Sequence, residues 1–167
     1  MEYLAHISHN AKQSIAEHLT GTATLAVQFA SRFGAEQDAR YTSLLHDIGK
    51  YTTGFQARLQ GGPCVDHATA GAKEAFAAHN LPAALAICGH HGGLPDVGSK
   101  YDTASDTTLL GRMKRCISAD PIWRQEIALP AGGAPHFLTG DFLQSAFYTR
   151  MLYSCLVDAD FQDTQNF

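Results

Sequence analysis

Apolar residues recur every three or four positions along most of the chain, in runs that end on glycine, asparagine or proline. That period sets one apolar stripe on each of several helices. "SIAEHLTGTATLAVQFASRF" predicts a helix from about Ser14 to Phe33, stopped by Gly34, and "AEQDARYTSLLHDI" predicts another from Ala35 to Ile48, stopped by Gly49. A short helix over "TGFQARL" closes at Gly61-Gly62-Pro63. "VDHATAGAKEAFAAHN" reads as a helix with Asp66 as N-cap and Asn80 at its end. "LPAALAICGHH" has Pro82 in its first turn and ends at Gly92-Gly93.

Residues 92–101 and the "LPAGGAPHF" stretch read as loops, with a helix over "TLLGRMKRCISAD" between them. "DFLQSAFYTRMLYSCLVDADF" predicts a long closing helix, apolar on nearly every side and therefore buried. No alternating pattern of a strand persists. The expectation is one all-α domain, a single compact helical bundle over residues 1–167.

Composition narrows the class. A chain of 167 residues, 45% hydrophobic and 17% charged, has enough apolar matter for one substantial core. It has no apolar run long enough for a membrane helix, and "MEYLAHISHN" lacks the basic-then-apolar order of a secretory signal. Both point to the cytoplasm. Cys64, Cys88, Cys116 and Cys155 are scattered without a CxxC pair, which speaks against a zinc ribbon or a redox dithiol. A net charge of −4 gives no global attraction to nucleic acid. Arg112, Lys114 and Arg115 form the only dense basic cluster, readable as a phosphate-tracking patch or as a solvated helix face.

Nine histidines change the picture. His6, His9, His79 and His136 stand without company and read as surface or loop residues. The other five fall on the predicted helices: His18 in the first, His46 with Asp47 ending the second, His67 opening the fourth, and His90-His91 ending the fifth. Asp158 and Asp160 sit late in the last. Buried imidazoles and carboxylates are costly unless something pairs with them. A divalent transition metal is the usual partner for that donor set. His46 and Asp47 therefore read as adjacent ligands at a helix end, with Gly49 leaving room for solvent or substrate.

The stretches "HLTGTATLAVQFA", "LLHDIGKYTTGFQARL", "DHATAGA", "HHGGLPD" and "LVDADFQDT" resemble the HD phosphohydrolase superfamily. More narrowly, they resemble the HD nuclease domain of the type I CRISPR-associated helicase-nuclease. The resemblance implies two ions. His18, His46, Asp47 and a late aspartate would hold one; His67, His90 and His91 would hold the other, with Asp47 bridging. It makes His46, Asp47 and Lys50 the catalytic residues, with Lys50 facing the scissile phosphate. A lysine favouring a helix C-terminus is the competing reading for Lys50. Asp160, in "ADF", is preferred over Asp158 as the late ligand, with Asp158 then orienting a ligand imidazole.

The implied activity is hydrolysis of single-stranded DNA in type I CRISPR interference by a hydroxide shared between the two ions. The implied partners are the single-stranded DNA, a CRISPR helicase domain or subunit and the RNA-guided surveillance complex, with no membrane. The excess of imidazole favours manganese, iron, cobalt or nickel over magnesium. Tyr51, Phe55 and Tyr101 flank the site in sequence and read as packing residues before base-stacking ones. No Walker "GxxxxGK[ST]" occurs, and seven residues follow Asp160, so no helicase part is expected in this chain. A nucleotide phosphohydrolase or phosphodiesterase acting on a small substrate, and a non-catalytic metal-binding interaction module, are the competing functions.

Overall fold

The computed structural model describes residues 3–8, 11–133, 135, 138 and 140–167. His9, His136 and part of the "LPAGGAPHF" loop lie outside the described residues. The chain folds as a helical bundle. Helices α1 (Ile15–Ala30), α2 (Glu36–Leu45), α4 (Ala68–Ala77), α5 (Leu81–Gly89) and α8 (Phe142–Asn166) build it. Shorter helices α3 (Thr53–Arg58), α6 (Leu109–Met113) and α7 (Trp123–Glu126) fill the connections. α1 packs on α2 and α8, while α5 packs on α4 and α8.

Local chemistry sets the ends of these helices. Ser14 and Glu17 form a capping box at the start of α1. Asn80 caps α5, with Pro82 in its first turn. His67 occupies the N-cap position of α4, but the capping bond comes from Asp66, whose Oδ1 accepts the Thr69 N–H at 3.0 Å. The inner faces are lined by alanine: Ala23, Ala26 and Ala30 on α1, Ala83, Ala84 and Ala86 on α5, and Ala159 on α8. Small side chains let helix axes approach closely, so imidazoles from several helices can meet.

The all-α bundle is as expected, with one addition: β1 (Leu4–Ile7) and β2 (Lys12–Ser14) form a short antiparallel hairpin ahead of α1. Its strands are too short to show a persistent alternation. The 3₁₀ turn Ile48–Lys50 follows α2, so the second helix stops three residues earlier than its pattern suggests. Finally, α8 is not buried all round. Tyr148, Leu152, Cys155, Leu156 and Ala159 form its buried stripe, while Phe142, Leu143, Phe147 and Phe161 are exposed.

The basic cluster is used internally. Arg115 Nη1 donates to Asp66 Oδ2 at 2.6 Å, and its other guanidinium nitrogens reach the Ala104 and Asp106 carbonyls. Lys114 Nζ donates to the carbonyls of Lys100 and Asp102. These bonds pin the loop after α5 onto the start of α4. Burial works against ionisation of Asp66, but bonds from Thr69 and Arg115 hold its pKa below the ordinary value. A depressed carboxylate adds stability above its unfolded pKa, lost as pH falls through the folded value. Arg115→Ala should therefore cost about 1 kcal/mol near neutral pH, discounted for partial exposure, and progressively less below about pH 4. Urea melts of both proteins across that range check it; a cost independent of pH would contradict the ion pair.

Candidate metal centre

Seven side chains from separate parts of the sequence converge in the bundle. Ligand atoms of His18, His46, Asp47 and Asp160 all lie within 4.8 Å of one another, as do those of Asp47, His67, His90 and His91. Asp47 belongs to both groups through different oxygens. Its Oδ2 stands 3.3 Å from His18 Nε2 and 3.5 Å from His46 Nε2. Its Oδ1 stands 3.3 Å from His90 Nε2 and 3.5 Å from His67 Nε2. Asp160 Oδ1 completes the first group, 3.3 Å from His18 Nε2 and 3.6 Å from His46 Nε2. His91 Nε2 lies 2.7 Å from His67 Nε2 in the second.

These spacings suit a cation. Donors about 2.1 Å from one ion stand roughly 3.0–3.4 Å from each other, close to the distances observed. His18 Nε2, His46 Nε2, His90 Nε2 and Asp47 Oδ1 are buried without a hydrogen-bond partner. Orphaned buried polar atoms are rare, and these four belong to the two clustered donor groups. Each of the two groups could hold a divalent ion.

Several of the imidazoles are oriented by the other ring nitrogen. His46 Nδ1 meets the Ser43 carbonyl at 2.6 Å and His90 Nδ1 the Ile87 carbonyl at 2.7 Å, both in the last turn of a helix. Carbonyls there lack intrahelical partners. This is why the sequence puts histidine where helices run out: the helix end itself fixes the ring. His67 Nδ1 meets the Val65 carbonyl at 3.2 Å.

The electrostatics fit cation binding. Burial opposes ionisation of Asp47, yet Lys50, His46, His18 and His90 hold it well below the carboxylate range. Asp160 is likewise held low against burial by His18 and His46. Burial works to lower His18, but Asp160, Asp163 and Asp47 raise it to about 10. Burial depresses His67 and takes His91 down to about 4, with His90 adding to it. Protons and ions compete for such a set, so metal uptake releases protons.

Gly49 has a different use from the one expected. A Cβ at this position would lie 2.1 Å from the His67 carbonyl oxygen. The missing side chain admits the backbone of His67, not solvent or substrate.

Lys50 is buried, with Nζ 2.7 Å from Asp47 Oδ2 and 5.4 Å from the Phe55 ring centroid. Tyr51 is buried and donates to Glu126 at 2.6 Å; Phe55 packs against His67; Tyr101 is exposed. Asp158 is exposed and outside both groups, which corrects its placement at the site. Two residues along a helix turn it about 200° from Asp160. The orienting contact expected of it belongs to Asp163, whose Oδ2 lies 2.8 Å from His18 Nδ1. The sequence signal was present: Asp163 is three residues after Asp160, on the same helix face. His6, expected at the surface, is half-buried, with its ring 4.8 Å from that of His18 and its Nε2 3.5 Å from Lys50 Nζ.

A helical bundle that gathers four further histidines around a His-Asp pair defines a metal-dependent phosphohydrolase of the HD kind. Residues 15–118 match the HD domain family, and the chain belongs to it. The matched stretch carries every donor except Asp160, which α8 brings back from outside it. HD domains are generally metal-dependent hydrolases. No curated protein matches the sequence.

Proposed function

We propose that the chain is a metal-dependent nuclease that hydrolyses phosphodiester bonds of single-stranded DNA in type I CRISPR interference. The observation that carries this reading is the shared carboxylate: Asp47 serves two donor groups, the second completed by adjacent His90 and His91. Two divalent ions of the manganese, iron, cobalt or nickel type would supply Lewis acidity and an acidified water for attack on phosphorus.

The chain's own residues do the rest. His18, His46 and Asp160 hold one side of Asp47, and His67, His90 and His91 hold the other. Lys50 brings a positive charge beside Asp47, which supports a role for it in meeting a phosphate oxygen. His91 is exposed and His67 half-buried, so the second group lies on the open side, where a polymer can enter. An apolar cavity between α5, residues 94–97 and the start of α8 is lined by none of the donor residues. The exposure of His91 supports a strand of DNA over a free nucleotide.

This reading seats the chain in the cytoplasm beside a CRISPR helicase domain or subunit and the RNA-guided surveillance complex. The exposed Phe142, Leu143 and Phe147 on α8 suit a surface that works against another protein.

The test is metal-free protein reloaded with manganese, cobalt or nickel and given circular single-stranded DNA beside a panel of nucleotides. The circle should be opened and then degraded, and the nucleotides left intact. Hydrolysis of a nucleotide with the circle untouched would favour the small-substrate reading. No hydrolysis by the loaded protein would favour a metal-binding interaction module.

The two late aspartates separate in the same assay. Asp160→Ala should lose one ion and nearly all turnover, whereas Asp158→Ala should keep both ions and activity within about twofold, as surface changes usually do. Loss of an ion in the Asp158 variant would reverse the assignment.

A further inference from the structure

His18 poses a problem that His46, His67 and His90 do not. His46 and His90 find carbonyls in the last turn of a helix, and His67 finds one in the loop before α4. His18 lies in the second turn of α1, at the fourth residue of the helix. The start of a helix has spare N–H groups and no spare carbonyls. Its Nδ1 must therefore be held from outside the helix.

Asp163 supplies that hold. Its Oδ2 lies 2.8 Å from His18 Nδ1 and also accepts from Gln13 Nε2 at 2.9 Å. Three elements meet at this one oxygen: α1 brings His18, α8 brings Asp163, and strand β2 brings Gln13. The approach is possible only because Gly21 lies on the His18 face of α1. A Cβ on Gly21 would stand 1.9 Å from Asp163 Oδ1. The bundle thus carries a notch in α1, a carboxylate seated in it, and an amide from the hairpin fixing the carboxylate.

We propose that Asp163 is the positioning residue of the metal centre, anchored by Gln13 and admitted by Gly21. It fixes His18 with the proton on Nδ1 and Nε2 directed at Asp47 and Asp160. The proposal rests on the metal-centre reading and adds to it a specific asymmetry: Asp163 serves only the ion shared by His18, His46, Asp47 and Asp160. A carboxylate behind a ligand imidazole is worth about 10–100-fold in metal affinity. It also makes the N-terminal hairpin part of the centre, which the helical pattern gives no hint of.

The experiment measures metal binding, not turnover. Chelator competition with zinc as the probe is run on wild type, Asp163→Ala, Asp163→Asn and Gln13→Ala, with histidine 15N spectra of the zinc-loaded proteins. In Asp163→Ala one of two ions should bind about 10–100-fold more weakly and the other unchanged. Asp163→Asn, which keeps an acceptor oxygen, should recover part of that loss. Gln13→Ala leaves the His18 bond in place, so it should weaken the same ion less, and it tests the chain even where Asp163→Ala fails to fold. In the spectra only the His18 Nδ1 signal should shift. Both ions binding at wild-type strength in Asp163→Ala, or both weakening equally, would overturn the proposal. A wild-type protein that binds no zinc would instead overturn the metal-centre reading beneath it.

Discussion

Asp47→Ala should abolish both donor groups together and lower kcat/KM on single-stranded DNA by about 1,000-fold or more. Each group uses a different oxygen of this carboxylate, so no neighbouring residue can replace it. An ion acting on a phosphoryl oxygen contributes several kcal/mol, and about 1.4 kcal/mol is tenfold in rate. Loss of about 4 kcal/mol gives the expected figure. The change also strands the buried Lys50 ammonium paired with Asp47, so the variant's melting temperature is measured as a check on its fold. Metal analysis and steady-state kinetics on the purified variant check both halves. Turnover within tenfold of wild type would mean that Asp47 does not hold the metals.

Gly49→Ala should be nearly as damaging although Gly49 touches no substrate. A methyl group here would meet the His67 carbonyl oxygen at 2.1 Å and its Cα at 2.7 Å. Those are backbone atoms and cannot rotate away. Overpacking of this kind costs about 1–3 kcal/mol, and the segment that must yield carries His67 away from Asp47. The group of His67, His90 and His91 should bind its ion at least about tenfold more weakly, since moving a ligand outweighs losing its support. The group around His18 should bind as before. A variant with wild-type melting temperature and both ions at full strength would show that the close approach does not shape the site.

The long helices were legible because their apolar residues keep a helical period and their ends carry glycine, asparagine and proline. The donors were legible for a linked reason. His46, Asp47, His67, His90 and His91 sit at helix ends, where a local pattern and a terminating residue both mark them. What escaped the sequence depends on distances across the fold. Gly49 looked like a helix stop, and nothing local shows that the His67 backbone rests on it. Asp163 lay in view on the Asp160 face, but its partner is 145 residues earlier in the chain.

The hairpin escaped because Leu4–Ile7 and Lys12–Ser14 are too short for alternation to stand out, yet it brings His6 and Gln13 to the centre. The α8 helix misled in the opposite direction. Apolar residues on every side suggested full burial, whereas the buried stripe from Tyr148 to Ala159 keeps an ordinary helical spacing and leaves three phenylalanines outside. Counting that stripe would have found the exposed face; hydrophobicity alone could not.

The number of ions per chain tests the central claim most directly. Metal-free protein is saturated with manganese or cobalt, freed of excess, and analysed for metal against protein concentration, beside the double variant His90→Ala, His91→Ala. Two ions per chain in wild type and one in the double variant is the predicted result. One ion per chain in both proteins would contradict a centre in which Asp47 joins two donor groups.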